Sequence, residues 1–336
     1  MSSTFKNPLV VGCGSWGTAL ALLLTNKCPQ VHLLGRNRNT VDQINSSREN
    51  KHYLPGITLP PNLVTTTDPG IANNTDLILF VIPTSATRTA AENLAKQSIS
   101  KTTVLLSCSK GIERKTGKRM SEIISDSFSE NPVAVLSGPN HAEEIARGLP
   151  AAATIGCSDI AIGEALQHTF SNERFRCYTN EDVAGIEFGG ALKNIFAIAA
   201  GVAAGLKLGD NAISALVTRA LAEMIRLGTQ LGGNPDTFPG LSGLGDLMTT
   251  CFSPHSRNQR IGMALGKGQK LQDALEQLGM VAEGVPNTRS IYEAARRVGA
   301  RTPIIDVVYA MLYEDVPPPK DSTDSLDKAR VTKSNN

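Results

Sequence analysis

The chain has 336 residues, with 33 basic against 31 acidic side chains for a formal charge of +2, and 41% of it is hydrophobic. That length favours two domains, each large enough to bury its own core, and the even mixture of charges excludes the field by which a protein collects nucleic acid or an anionic membrane surface. The six cysteines (Cys13, Cys28, Cys108, Cys157, Cys177 and Cys251) are far apart and form no CxxC pair, so spacing supports neither a zinc site nor a disulfide framework and fits a reducing cytoplasm. Residues 1–8 are too short and polar for a signal peptide. The most apolar run, 195–206, is too short to span a bilayer, and the helix leading into it carries Glu187, Lys193 and Asn194. A cytoplasmic chain without stable membrane insertion is therefore expected.

An apolar strand at 9–11 leads into Gly12-Cys13-Gly14-Ser15-Trp16-Gly17 and then an alanine-leucine helix. Gly12 permits a sharp turn, Gly14 leaves room for a pyrophosphate against the backbone, and Gly17 lets the helix pack closely on the strand. The helix start offers free N–H groups and a positive dipole end to the anion. A second strand at 31–34 ends at Gly35-Arg36-Asn37-Arg38. At this position an NAD site places a carboxylate for the ribose 2'-hydroxyl, whereas an arginine accommodates a 2'-phosphate. Arg36, with Arg38 nearby, therefore predicts that NADPH is accepted, against the alternative of a solvated arginine turn.

A polar loop containing Tyr53 and the Leu59-Pro60-Pro61 run is expected next, followed by a buried parallel strand at 76–83. A helix at 85–96, a strand at 103–107 ending at Lys110, a helix at 120–128 and a strand at 133–136 ending at Gly138 to Ala142 complete the alternation. This pattern predicts an α/β fold, an N-terminal Rossmann-like doubly wound parallel sheet with ligands outside the carboxyl ends of its strands. Short strands at 151–156 and 175–178 close it near Asn180. Thereafter only helical patterns occur, at 184–206, 211–231, 256–265, 271–278, 287–298 and 304–313. The expected domains are thus a dinucleotide-binding domain over 1–180, an all-helical substrate domain over 181–314, and a proline-rich, polar tail over 315–336 that buries little.

Reducing a carbonyl with a nicotinamide requires a proton donor, groups that polarise the oxygen, and a clamp for the rest of the substrate. Lys193 lies in the otherwise apolar stretch 189–200. Burial and a second cation such as Lys110 would lower its pKa toward the range useful for proton transfer, whereas the alternative is a lysine snorkelling from a helix edge. Asp246 ends a glycine-dense loop, where it either orients Lys193, accepts from a substrate hydroxyl, or caps the following helix. Ser256-Arg257-Asn258 brings a hydroxyl, a guanidinium, an amide and free N–H groups to a helix start, a set suited to phosphate, although capping alone explains the serine. His141 and His255 rank below Lys193 as acids, since neither has a carboxylate at a fixed offset, and no HExxH or similar metal spacing is present.

With these residues in place, the chain resembles the bacterial NAD(P)-dependent glycerol-3-phosphate dehydrogenase family. The resemblance rests on Gly12-Cys13-Gly14-Ser15-Trp16-Gly17-Thr18-Ala19, Ser109-Lys110-Gly111-Ile112-Glu113, Ser137-Gly138-Pro139, Gly189-Gly190-Ala191-Leu192-Lys193-Asn194, Gly243-Leu244-Gly245-Asp246-Leu247 and His255-Ser256-Arg257-Asn258, in the family's order over residues 8–313. It implies reversible reduction of dihydroxyacetone phosphate to sn-glycerol 3-phosphate for phospholipid synthesis, using NADPH or NADH, in a homodimer. It implies that Lys193 transfers the proton and that substrate meets Lys110, Gly138, Asn140, Lys193, Asp246, Ser256, Arg257 and Asn258. It places cofactor at Ser15, Trp16, Arg36, Tyr53, Lys110, Ala142, Arg257, Val281 and Glu283, beside the glycines already named. Asn140 stands where family members often have Ser or Thr, and the tail is unlike the family's usual helical end. The competing readings are a related two-domain dehydrogenase for another hydroxy acid or sugar phosphate, and a nucleotide-sensing protein without catalysis.

Overall fold

Strands β1 (Pro8–Val11), β4 (Leu77–Phe80) and β5 (Val104–Ser107) are buried along their whole length, which is why their sequences run apolar without alternation. Around them the computed structural model, which describes residues 5–318, places β2 (Val31–Leu34), β3 (Leu63–Thr66), β6 (Val133–Ser137), β7 (Ala151–Gly156) and β8 (Phe175–Asn180) in one sheet of order β3-β2-β1-β4-β5-β6-β7-β8. Helices α1 (Ser15–Leu24), α2 (Arg38–Ser47), α3 (Thr84–Leu94), α4 (Met120–Ser127), α5 (Ala142–Ala146) and α6 (Ile160–Phe170) connect the strands. Side chains alternate between the faces: Val10, Leu79 and Leu106 join Leu20, Leu24 and Phe170 in one core, while Leu9, Ile78, Phe80 and Leu105 join Ala91, Leu94 and Ile124 in the other. The sheet is thus covered on both faces, and each fully buried Leu, Ile or Phe contributes about 1.5–3 kcal/mol.

The sheet departs from the expected all-parallel order at one seam. β6 and β7 pair antiparallel, with Val135 opposite Gly156 and Ser137 opposite Thr154, while β7 and β8 are parallel to each other. The connection between β6 and β7 contains only the five-residue α5. A return in parallel needs a longer crossover, usually a helix spanning the sheet. Helix α6 supplies such a crossover between β7 and β8, its start capped by Asp159 accepting from the Ile162 N–H at 3.1 Å.

Two further elements lie where a polar loop was expected. α2 buries only Val41 and Ile44, and β3 is an edge strand with alternating burial, so neither presents a strong apolar pattern. The proline-rich tail expected from 315 onward lies outside the described residues from position 319.

This first unit runs to Glu113 and from Lys118 to Glu187; the second comprises Arg114–Gly117 and the chain from Phe188 onward. The second is helical: α7 (Val183–Gly205) crosses into it, followed by α8 (Asp210–Gln230), α9 (Asp246–Phe252), α10 (Arg257–Gly266), α11 (Leu271–Leu278), α12 (Gly284–Arg297) and α13 (Pro303–Tyr313). The most apolar window of α7 is long enough to cross a bilayer, but 94% of it is buried within the fold. Its first-unit end is anchored by Glu187, which accepts from Arg119 Nη1 and the Ser121 N–H, both at 2.9 Å. Burial pushes the Glu187 carboxyl above the usual range, against the opposing effect of Arg119.

The N-terminus of α13 is capped from another helix. Glu223 of α8 is buried and accepts from the Ile304 and Ile305 N–H groups, each at 3.0 Å. Desolvation pushes its carboxyl from 4.5 up to about 7, only partly opposed by those two donors. The native state therefore retains a proton that the unfolded chain releases, so this group lowers stability as pH rises from about 4.5 to 7. Glu223→Gln is expected to flatten that part of the Tm-versus-pH curve, which a thermal melt series between about pH 5 and 8 measures.

Candidate active site

In the first unit the expected ligand residues stand at the carboxyl ends of the strands. Gly12, directly after β1, has φ +119°, and a Cβ there would lie 2.3 Å from the Val81 carbonyl oxygen. A Cβ at Gly17 would lie 1.9 Å from the Gly12 oxygen, whereas one at Gly14 would meet nothing within 4 Å. Two glycines are thus demanded by close backbone packing and the third faces open space. No side chain caps the start of α1 and no acidic residue occupies its first turn. A glycine with open space beside an uncapped helix N-terminus is a fitting cradle for a dinucleotide pyrophosphate.

Arg36 and Arg38 after β2 are exposed but not equivalent. Arg38 forms an i,i+4 ion pair with Asp42 at 3.6 Å, whereas Arg36 makes no hydrogen bond or ion pair with any described residue. Trp16 and Ala142 pack with Ala19, Leu54 and Ala146 in one small cluster, which brings two of the expected cofactor residues to the segment carrying Tyr53. After β5, Ser109 Oγ donates to the Ile82 oxygen at 2.6 Å, and Lys110 Nζ donates to the Gly138 oxygen at 3.0 Å. Gly138 has φ +152°, and a Cβ there would lie 2.9 Å from Ala153 Cα. Asn140 Nδ2 donates to the Ala152 oxygen at 3.0 Å, and its Oδ1 is buried without a hydrogen-bond partner among the described residues. The antiparallel seam brings Ala152 to this place, since β7 starts where β6 ends.

In the second unit, Lys193 of α7 is buried rather than snorkelling, at 8% exposure, and Asp246 at the start of α9 is 1% exposed. Lys193 Nζ donates to Asp246 Oδ1 at 2.9 Å and to Thr250 Oγ1 at 2.7 Å, and Thr250 Oγ1 donates to the Asp246 carbonyl oxygen at 2.7 Å. Asp246 does not cap its helix with its side chain. Its carboxylate offsets the desolvation of the ammonium, and the two neighbours fix the direction of Nζ. A π-helical turn, Leu241–Gly245, precedes α9 and sets Asp246 toward Lys193. Close packing makes this turn possible: a Cβ at Gly189 would lie 2.8 Å from the Ser242 oxygen. The neighbouring Cys251 thiol is pushed up to about 12 by burial.

The start of α10 gathers the remaining residues. Ser256 does cap it, accepting from the Gln259 N–H at 3.2 Å. Asn258 Nδ2 donates to Asn194 Oδ1 at 2.9 Å while its Oδ1 accepts from the Gly284 N–H at 3.0 Å, so the amide ties α7, α10 and α12 together. Arg257 Nη1 donates to the Val281 oxygen at 2.8 Å, which joins Arg257 to the segment of Val281 and Glu283. His255 is exposed beside this group, and His141 stands at the start of α5 in the first unit. Thr250 and Asn194 are site residues that sequence reasoning left unassigned. The only signal for Thr250 is its i,i+4 spacing from Asp246 on one helix face.

Residues 9–162 match the N-terminal, and residues 182–322 the C-terminal, description of NAD-dependent glycerol-3-phosphate dehydrogenase. The chain is 45% identical over 325 residues to glycerol-3-phosphate dehydrogenase (NAD(P)+) of Geobacillus thermodenitrificans, covering 96% of this chain and 94% of the relative. Among solved structures it is similar to glycerol-3-phosphate dehydrogenase from Coxiella burnetii, with a TM-score of 0.91 and 35% identity over 97% of this chain and 98% of the other. It is also similar to the yeast Saccharomyces cerevisiae glycerol-3-phosphate dehydrogenase, with a TM-score of 0.83 and 27% identity over 96% of this chain and 99% of the other.

Proposed function

Because the chain belongs to the NAD-dependent glycerol-3-phosphate dehydrogenase family, we propose that it reversibly reduces dihydroxyacetone phosphate to sn-glycerol 3-phosphate with NADPH or NADH, for phospholipid synthesis. The observation that carries the reading is the buried Lys193, held at 2.9 Å by Asp246 and at 2.7 Å by Thr250. A charged lysine at that depth is costly unless a task requires it. The chemistry a bound NAD(P)H supplies is a hydride for C2 of the ketone. Lys193 gives a proton to the ketone oxygen during reduction and takes it back during oxidation. Asp246 and Thr250 orient that proton, and the carboxylate balances the charge on the lysine. Ser256, Arg257 and Asn258 take the substrate phosphate at the start of α10, while Lys110, Gly138 and Asn140 complete the substrate contacts.

The dinucleotide is held by Gly12, Gly14, Ser15, Trp16, Gly17, Arg36, Tyr53, Lys110, Ala142, Arg257, Val281 and Glu283. We infer a dinucleotide-binding domain over 1–180 and a helical substrate domain over 181–314, each also supplying residues to the other's ligand. We infer a cytoplasmic homodimer without membrane insertion, whose mass light scattering would measure.

The test is loss of NADPH absorbance when dihydroxyacetone phosphate is added to purified protein, repeated with NADH and with Arg36→Ala. Substrate-dependent oxidation is expected, together with a rise in KM for NADPH but not NADH in the variant, of about tenfold for one lost charge-assisted hydrogen bond. Folded protein that binds NADPH but oxidises it only with another keto acid or sugar phosphate, or with none, overturns the reading.

A further inference from the structure

We propose that Asn50, a residue outside the expected site, is a positioning residue that sets the direction of the backbone N–H groups in the glycine turn. The proposal rests on the dinucleotide reading of that turn. Asn50 lies between α2 and β3 and is completely buried, although it stands in the polar run Arg48-Glu49-Asn50-Lys51-His52. Its side chain spends both amide hydrogens on the cradle: Nδ2 donates to the Cys13 oxygen at 2.9 Å and to Thr18 Oγ1 at 2.8 Å. Thr18, equally buried, passes the constraint on, its Oγ1 donating to the Gly14 oxygen at 2.9 Å.

One amide therefore holds two successive carbonyls of the turn, that of Cys13 directly and that of Gly14 through Thr18. In a trans peptide the C=O and the following N–H point in opposite directions. Drawing the Cys13 and Gly14 oxygens toward Asn50 thus turns the Gly14 and Ser15 N–H groups away from it, outward from the interior. These are the donors that a pyrophosphate at an uncapped helix start requires. The Gly14 oxygen also accepts from the Thr18 N–H at 3.0 Å, the first bond of α1, whereas the donor to the Cys13 oxygen is the Asn50 amide, so losing Asn50 bears most on the Gly14 N–H. The same residue reaches Tyr53: the Leu54 N–H donates to the Asn50 carbonyl oxygen at 2.8 Å, and the Tyr53 N–H reaches Oδ1 at 3.4 Å. Glycine turn and Tyr53 segment are therefore held by one side chain.

The isosteric Asn50→Asp removes both donors and sets an acceptor against the Cys13 oxygen. The second variant, Thr18→Val, keeps the volume, removes the relay to Gly14 and takes the acceptor from one Asn50 amide hydrogen while leaving the Asn50–Cys13 bond, with Thr18→Ser as the conservative rescue. NADPH and NADH are titrated into each protein by quenching of Trp16, the chain's single tryptophan, alongside thermal melts and steady-state kinetics. Wild type is expected to bind both dinucleotides. Asn50→Asp should weaken both by about tenfold or more, in keeping with buried groups left unsatisfied. Because the pyrophosphate is common to both, their ratio should stay constant, in contrast to Arg36→Ala. Thr18→Val should show a smaller loss that Thr18→Ser restores, and the effect should fall on KM for cofactor rather than on kcat at saturation.

Unchanged dinucleotide affinity in folded Asn50→Asp and Thr18→Val overturns the proposal. So does a loss of activity that follows Tm and lowers apparent kcat with every KM unchanged, because that is a smaller fraction of folded enzyme. Failure of wild type itself to bind either dinucleotide would instead overturn the underlying reading of the turn.

Discussion

Lys193→Met lowers kcat for dihydroxyacetone phosphate reduction by about 10³-fold, within the range of a lost general acid, while NADPH affinity stays near that of wild type. Methionine keeps most of the side-chain volume, so the effect isolates the ammonium. The variant also pays a structural penalty, because Asp246 is 1% exposed and loses the partner that stood 2.9 Å away. Breaking one side of a buried pair costs about 3–5 kcal/mol, whereas removing both sides is far milder. Lys193→Met combined with Asp246→Asn should recover much of the lost Tm and none of the lost kcat. Melting curves and steady-state rates on the same three proteins check this; a double variant that recovers turnover would remove Lys193 from the chemistry.

Gly262→Ala is the other change with a large expected effect, and it acts through packing. A Cβ on Gly262 would lie 2.0 Å from the Ile198 oxygen and 2.9 Å from the Val202 nitrogen. Both are backbone atoms of α7, so no side chain can rotate away and the two helices must separate. The crossing is glycine on both sides, since a Cβ at Gly201 would lie 2.1 Å from the Gln259 oxygen and one at Gly266 would lie 2.4 Å from the Val202 oxygen. Overpacking of this kind costs about 1–3 kcal/mol, or a fall in Tm of about 4–10 °C for a unit of this size.

The functional consequence follows from what the helices carry. α7 holds Lys193 and Asn194, α10 holds Arg257 and Asn258, and the 2.9 Å Asn258–Asn194 hydrogen bond spans them. Separation should raise KM for the phosphate substrate by about tenfold, the equivalent of one lost hydrogen bond. Gly163→Ala in α6 is the control, because its nearest neighbour would be 3.6 Å away; it should stabilise by about 0.5–1 kcal/mol. Equal Tm and equal KM in Gly262→Ala and wild type would show that the crossing does not set the site.

The glycine turn, the fully buried strands and the long glycine-alanine helix were legible in the sequence because each is a local pattern with a local cause. Gly12 and Gly17 sit where backbone approaches backbone, and β1, β4 and β5 read as apolar runs because both faces of the sheet are covered. Lys193 was legible for the same reason, as a charge in an apolar helix. Partner choice was not. Asp246 is 53 positions from Lys193 and Asn50 is 37 positions from Cys13, and no spacing rule connects residues so far apart. The structure adds their partners: Lys193 donates to Asp246 and Thr250, and Ser256 accepts from the Gln259 N–H.

The same division runs through the fold. Sequence alone determined that strands alternate with helices before Asn180 and that helices follow, since hydrophobic period and glycine position are properties of consecutive residues. Tertiary structure decided that β7 runs against β6, that Arg38 is paired while Arg36 is not among the described residues, and that the Asn of a polar run is wholly buried under the cradle. Each of these depends on which distant groups share a small volume. A buried amide looks like a solvated one until the carbonyls it must satisfy have been brought to it.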